Sequence, residues 1–360
     1  MNVDPDFYYK VGLTLLCAAL IALAATPLAK AVARRVGAMD VPKDERRMHH
    51  TPIPRMGGMA IFLGFLISVL LFADISVQVR GILLGSAVIM ILGVMDDILT
   101  LKALPKFFVQ ILAAVIVVLH GCRIDQVFGW QLPHWLSYCA SVVWIVAMTN
   151  AINFIDGLDG LAAGVSAICA GAMLVVAMLL VPQGNSMTAA ILLAAVVGGC
   201  VGFIPYNFNP AKIFMGDTGS NFLGFILSAI SIFGLFKTYA FISFAVPFMV
   251  LGLPIFDICF AVIRRLLRGQ SPMHADRGHV HHHLIDMGFS QKQAVALCYL
   301  VTAILGLAAV TLTGRRLHQV LSIAGALLVV SVLAFLFIFR IHNPYHVHPA
   351  AEKEEEHEEV

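Results

Sequence analysis

The chain has 360 residues, of which 60% are apolar and only 12% charged, with a mean hydropathy of +0.90. Soluble domains carry charge on roughly a quarter of their residues, so a soluble fold is excluded. A formal net charge of +2 with no long basic stripe argues against a nucleic-acid partner.

A membrane helix needs about 20 mostly apolar residues. Eleven runs qualify, near Val11–Ala29, Met56–Ala73, Val79–Met95, Phe107–Leu119, Leu136–Ile152, Leu161–Val181, Met187–Ile204, Ser220–Phe236, Tyr239–Ile263, Ala294–Thr313 and Val320–Phe339. The turn signal Pro182-Gln183-Gly184-Asn185-Ser186 divides the charge-free stretch from Gly160 to Ala211 into two of them. The first run follows Asp4 and Asp6 and precedes the basic residues, the reverse of a cleaved signal, and reads as a retained anchor. The seven cysteines lie singly, without Cys-x-x-Cys spacing, and read as small apolar residues.

These runs predict an all-α, polytopic membrane protein of about 11 transmembrane helices. Residues 1–340 form the transmembrane domain, and 341–360 an acidic, disordered tail. Lys and Arg are retained on the cytoplasmic side of short loops, and with the N-terminus outside, 17 of the 23 fall inside. The expected orientation is N-terminus outside and C-terminus cytoplasmic, with Arg315-Arg316 opposing it locally.

The unusual polar residues all fall in the inside loops. The first carries Arg46-Arg47-Met48-His49-His50-Thr51-Pro52-Ile53-Pro54-Arg55-Met56-Gly57-Gly58, where prolines stiffen a basic segment and the glycine pair permits close backbone approach. Basic residues beside a span also set topology and meet anionic lipid, but that role requires neither His49 nor the glycines. The second opens on Asp96-Asp97, two anions whose repulsion favours a cation or an added proton. The third runs from Asn150 to Gly160, with Asn150, Asn153, Asp156 and Asp159 at intervals of three. A helical start there would place them along one side. The fourth, Tyr206 to Ser220, holds Asn207, Phe214 and Asp217, the last near a helix N-terminus where Thr218 or Ser220 also suits a cap. The fifth, Ser271 to His283, ends in His279, His281, His282 and His283. By composition that run suits zinc or phosphate oxygens. Asp257 lies within the ninth span, where a carboxylate is costly unless paired or wet; Arg264 or Arg265 offers a structural pair, and direct function is the equal alternative.

Carboxylates and asparagines suit Mg²⁺, and arginine, lysine and histidine suit phosphate. Phosphoryl transfer onto a lipid co-substrate is the economical inference, because such chemistry rests on positioning and charge neutralisation. A secondary transporter would instead place its site near the bilayer midplane, often with internal repeats, and a metal transporter using the histidines would leave the Asn and Asp-Gly motifs unexplained.

From about Arg46 to Gly288 these five loops, in order and sidedness, resemble the polyprenyl-phosphate N-acetylhexosamine-1-phosphate transferases. His49, Pro52-x-Pro54-Arg55-x-Gly57-Gly58 and Asp276-x-x-His279-x-His281-His282 bring the chain nearest the bacterial UDP-N-acetylglucosamine:undecaprenyl-phosphate branch. Two departures stand out: Asp96-Asp97-Ile98-Leu99-Thr100 lacks a third Asp often found there, and His283 replaces an Arg common in that branch. The resemblance implies Mg²⁺, with Mn²⁺ as a substitute, held by Asn153 and Asp217. It implies catalytic roles for Asp96, Asp97, Asp156, His281 and His282. His49, Arg55, Asn150, Asp159, Asn207, Phe214, His279 and His283 would bind substrate, with Asp159, Asn207 and Phe214 around the uridine. It further implies UDP-N-acetylglucosamine and undecaprenyl phosphate as substrates, with UDP-N-acetylmuramoyl-pentapeptide or another UDP-N-acetylhexosamine as the alternative donor. A homodimer in the bacterial cytoplasmic membrane completes the expectation.

Overall fold

The computed structural model describes residues 5–42, 51–127, 130–181, 185–235, 242–267, 269 and 279–313. His49, most of the fifth loop, the eleventh candidate span and the acidic tail lie outside them.

The described chain is helical: α1 Pro5–Val36, α2 Gly58–Phe72, α3 Val77–Leu99, α4 Ala103–Leu119, α5 His134–Ile155, α6 Leu161–Leu180, α7 Ser186–Asn207, α8 Gly216–Ile230, α9 Ile242–Val250, α10 Gly252–Leu267, α11 Val280–Asp286 and α12 Gln291–Thr313. Two antiparallel ladders of two residues each interrupt it, β1 Met39–Asp40 with β2 Ile53–Pro54, and β3 Gln126–Val127 with β4 Trp130–Gln131. Among the described residues six helices are long and apolar enough to cross a membrane, and α2 and α4 are shorter apolar ones. The protein is therefore an all-α, multi-pass membrane protein.

Membrane helices gain nothing by hiding apolar surface from lipid, so small residues and close backbone contact draw them together. The α1–α7 contact follows that rule. A Cβ on Gly198 would lie 2.2 Å from the main-chain oxygen of Leu15, and one on Gly202 at 2.2 Å from that of Ala19. At the centre stands α8, buried on all sides from Thr218 to Ile230 and contacted by α2, α3, α5, α6 and α7.

Two expectations are corrected. The ninth span, expected unbroken from Tyr239 to Ile263, is two helices meeting at Leu251, with Pro254 in the first turn of α10, where a missing N–H costs nothing. The Asn150 to Asp159 run is a helix end rather than a start: Asn150 and Asn153 close α5, Asp156 is its C-cap, and Asp159 lies in the turn to α6.

Candidate active site

The first N–H groups of a helix have no partner within it. In α8 the N-cap, Met215, offers no side-chain bond, and the need is met from another helix. Asp97, near the end of α3 and 5% exposed, accepts from the Asp217 nitrogen at Oδ1 (2.9 Å), and at Oδ2 from the Thr218 nitrogen (3.1 Å) and the Thr218 hydroxyl. Gly216 makes room for it: its φ is +72°, and a Cβ would lie 2.4 Å from an Asp97 oxygen. Thr218 thus binds Asp97, and Ser220 donates to the Gly216 carbonyl at 3.1 Å, so neither is the cap. The neighbouring Asp96 accepts from the Leu101 nitrogen at 2.7 Å and from Lys106 Nζ at 2.5 Å.

With α8 aimed this way, Asp217 meets Asn153 at the end of α5. Asn153 Nδ2 donates to Asp217 Oδ1 at 2.6 Å and to Ser220 Oγ at 2.8 Å. Both amide hydrogens are spent, and the recorded bonds to the Asp217 side chain fall on Oδ1. Asn153 Oδ1 and Asp217 Oδ2 are left to take a further partner. Lys106 Nζ stands 3.7 Å from Asp217 Oδ1. Half-buried Asp156 has its carboxyl pushed up to about 8, first by burial and then by the charges of Asp217 and Asp97, with Arg55 opposing. Two oxygen donors amid clustered carboxylates fit Mg²⁺, which takes one or two carboxylates and completes its shell with water and phosphate oxygens.

The floor is a short main-chain ladder. Phe214 nitrogen donates to the Pro54 carbonyl (2.8 Å), Gly57 nitrogen to that of Phe214 (3.0 Å) and Gly58 nitrogen to that of Met215 (3.0 Å). It joins the Arg55 segment to the start of α8. Arg55 itself pairs with Asp40 at 2.7 Å. Buried Asn207 is a brace, accepting from the Gly160 nitrogen at 3.1 Å and donating to the Ile213 carbonyl at 3.0 Å. Asp159 accepts from Asn209 Nδ2 and the Ala211 nitrogen, each at 3.0 Å.

The histidines approach from the far side of the Asp156 turn. Asp257, 2% exposed, accepts from His279 Nδ1 and from the Val280 nitrogen, each at 2.8 Å, so its partner is the start of α11 where Arg264 or Arg265 was expected. The His279 ring lies 5.5 Å from that of Phe154, and His281 packs where a Cβ on Gly157 would stand, at 2.2 Å from Nε2. Burial, reinforced by His282, pulls the His281 imidazole down to about 3, so it is neutral at working pH. The His282 ring lies 4.3 Å from that of His281, tilted by 42°, and His283 is exposed. Among the described residues no three His, Cys, Asp or Glu side chains converge as a metal site.

The structure brings Asp96, Asp97, Asn150, Asn153 and Asp217 into one bonded cluster, with Asp156 inside its electrostatic reach. It adds Lys106, Gln110 and Asn221, absent from the sequence-derived set. The available signal was polarity: each stands in or beside an otherwise apolar run.

The family model described as glycosyl transferase family 4 matches residues 79–235. The chain is 39% identical to the probable undecaprenyl-phosphate N-acetylglucosaminyl 1-phosphate transferase of Bacillus subtilis, over 84% of this chain and 85% of that protein. It is 34% identical to the decaprenyl-phosphate N-acetylglucosaminephosphotransferase of Mycobacterium tuberculosis, over 93% and 90%. It is also 34% identical to the phospho-N-acetylmuramoyl-pentapeptide-transferase of Desulforudis audaxviator, over 73% and 86%.

Proposed function

The chain belongs to glycosyl transferase family 4, and on that premise we propose that it transfers N-acetylglucosamine-1-phosphate from UDP-N-acetylglucosamine to undecaprenyl phosphate. An oxygen of the lipid phosphate forms a bond to the sugar-proximal phosphorus, the bond from that phosphorus to the bridging oxygen breaks, and UMP leaves. The observation carrying this reading is the Asn153–Asp217 pair, with two oxygens to spare, beside Lys106.

Asp217 and Asn153 would hold Mg²⁺, which when bound neutralises diphosphate charge. The chain's own groups do the rest. Asp97 fixes the start of α8 and so the place of Asp217. Lys106 offsets the charge of Asp96 and Asp217. His279 and His281, carried against Phe154 and Gly157, would offer hydrogen-bonding groups to phosphate. A lipid phosphate carries about −1.5 to −2 at neutral pH, so the site must offset the repulsion between two anionic substrates as they meet.

The reading includes a cytoplasmic site in the bacterial inner membrane, with the N-terminus outside and the protein a homodimer. The Desulforudis relative supports one other donor, UDP-N-acetylmuramoyl-pentapeptide, by the same chemistry. The test incubates purified protein with undecaprenyl phosphate and sugar-labelled UDP-N-acetylglucosamine, with and without Mg²⁺. Label entering the lipid phase in step with UMP, only with Mg²⁺, is expected; labelling from the muramoyl-pentapeptide donor alone would reassign the sugar.

A further inference from the structure

Behind Asp217 runs a chain of three carboxamides. Asn150 Nδ2 donates to Gln110 Oε1 at 2.7 Å, and Gln110 Nε2 donates to Asn221 Oδ1 at 3.0 Å. Asn221 Nδ2 then donates to the Asp217 carbonyl at 2.8 Å and to Asp217 Oδ1 at 3.3 Å. A carboxamide can be reversed without changing its shape, so the direction of such a chain needs independent anchors. Both ends have one. Asn150 Nδ2 also donates to the Val146 carbonyl at 2.8 Å, and Asn221 Nδ2 meets the Asp217 carbonyl; a carbonyl only accepts. With both ends fixed, Gln110 in the middle has a single orientation. It is 3% exposed and Asn221 2%, so water has little access to replace either bond.

We infer that Gln110 and Asn221 are positioning residues for Asp217. The ladder helps to turn Oδ1 toward the protein and so reserves Oδ2 for the cation that neutralises the diphosphate. The inference rests on the reading of Asp217 as the carboxylate that holds Mg²⁺. One helix serves both needs of that carboxylate. Gln110 lies four residues after Lys106 on α4, so the two share a face, one supplying charge and the other direction. Without the ladder, Oδ1 keeps its bond to Asn153 and its contact with Lys106 but loses the Asn221 bond that opposes rotation toward Lys106, so the oxygen reserved for the cation is held less well.

The test uses the full chain in detergent, with Gln110→Met, Asn221→Leu and the double variant, all close to the original volumes. Losing the ladder's hold on Asp217, on the scale of one net hydrogen bond or about 1–1.5 kcal/mol, corresponds to about a tenfold effect. In each single variant kcat for UMP release falls by about that factor while KM moves less than about twofold. Without substrates, the rise in unfolding midpoint brought by Mg²⁺ then requires about tenfold more Mg²⁺. Because both substitutions break the same ladder, the double variant is no worse than the more severe single one. Losses that multiply, or a lowered midpoint with kcat and the Mg²⁺ response unchanged, would overturn the inference and leave two separate packing residues. Where Asn221→Leu fails to fold, the same split of kcat from KM in Gln110→Met decides. If neither turnover nor midpoint of the unaltered protein responds to Mg²⁺, the metal reading fails, and the ladder stands or falls on kcat and non-additivity.

Discussion

Oδ1 of Asp97 accepts from the backbone nitrogen of Asp217 at 2.9 Å, across 120 residues of sequence. One member of the acidic pair therefore acts on the reaction by holding the first turn of a helix, and its second oxygen is occupied by Thr218. A carboxylate there meets both the unpaired N–H groups and the positive end of the helix dipole.

Asp97→Ala should accordingly lower stability as well as turnover. A lost cap costs about 0.5–2 kcal/mol, and the displaced Asp217 should reduce kcat by at least about tenfold. Asp97→Asn keeps one acceptor and should sit between. Unfolding midpoints and UMP release measured on the same preparations check this; full stability in Asp97→Asn with turnover abolished would make Asp97 a proton acceptor instead.

Lys106 sits between two carboxylates, 2.5 Å from Asp96 and 3.7 Å from Asp217. Its removal leaves buried Asp96 uncompensated, and breaking a buried ion pair from one side typically costs about 3–5 kcal/mol, reduced here because Lys106 is 25% exposed. Lys106→Met should lower the unfolding midpoint and suppress turnover by about a hundredfold. Adding Asp96→Asn should restore much of the midpoint and little of the turnover. Restoration of both would mean that Lys106 serves only Asp96.

Much of this was legible in the sequence. Runs of apolar residues located the spans, Asp96-Asp97 stood out as adjacent anions and Asn153 by its three-residue spacing, and the resemblance to a known family pointed to Asn153 and Asp217 as the metal-holding pair. What composition cannot show is pairing. Gln110 meets Asn221 across 111 residues, a juxtaposition made by the packing of α4, α5 and α8. The same limit explains Asn207, whose motif suggests a ligand contact but whose amide braces Gly160 and Ile213. It explains Asp257 too: its nearest cations along the helix were plausible partners, whereas α11 folds back to bring His279.

Asp156 gives the protein a pH signature of its own. Its carboxyl is raised from 3.8 to about 8 in the folded state, so between those values the folded chain holds a proton that the unfolded chain has lost. This contribution is fully present below about pH 4 and disappears as pH rises through about 8. In EDTA, stability should decline from pH 5 to 8.5, and Asp156→Asn should flatten that decline. Parallel unfolding curves for the two proteins across the range would show that Asp156 is ionised throughout.

His281, pulled down to about 3, should add no limb to the rate profile between pH 6 and 9, and His281→Gln should change the height of that profile without changing its shape. His279 Nδ1 is committed to Asp257 at 2.8 Å. That bond sets the tautomer and the orientation of the ring, so Asp257 is proposed to act through His279. Asp257→Asn retains an acceptor for one of its two donors and should lose less than Asp257→Leu, which strands a buried imidazole and the Val280 nitrogen together. A double-mutant cycle on kcat/KM with His279→Gln should return a coupling of about 1–3 kcal/mol. Additive losses would mean that Asp257 anchors α11 alone, leaving the orientation of His279 to its contact with Phe154.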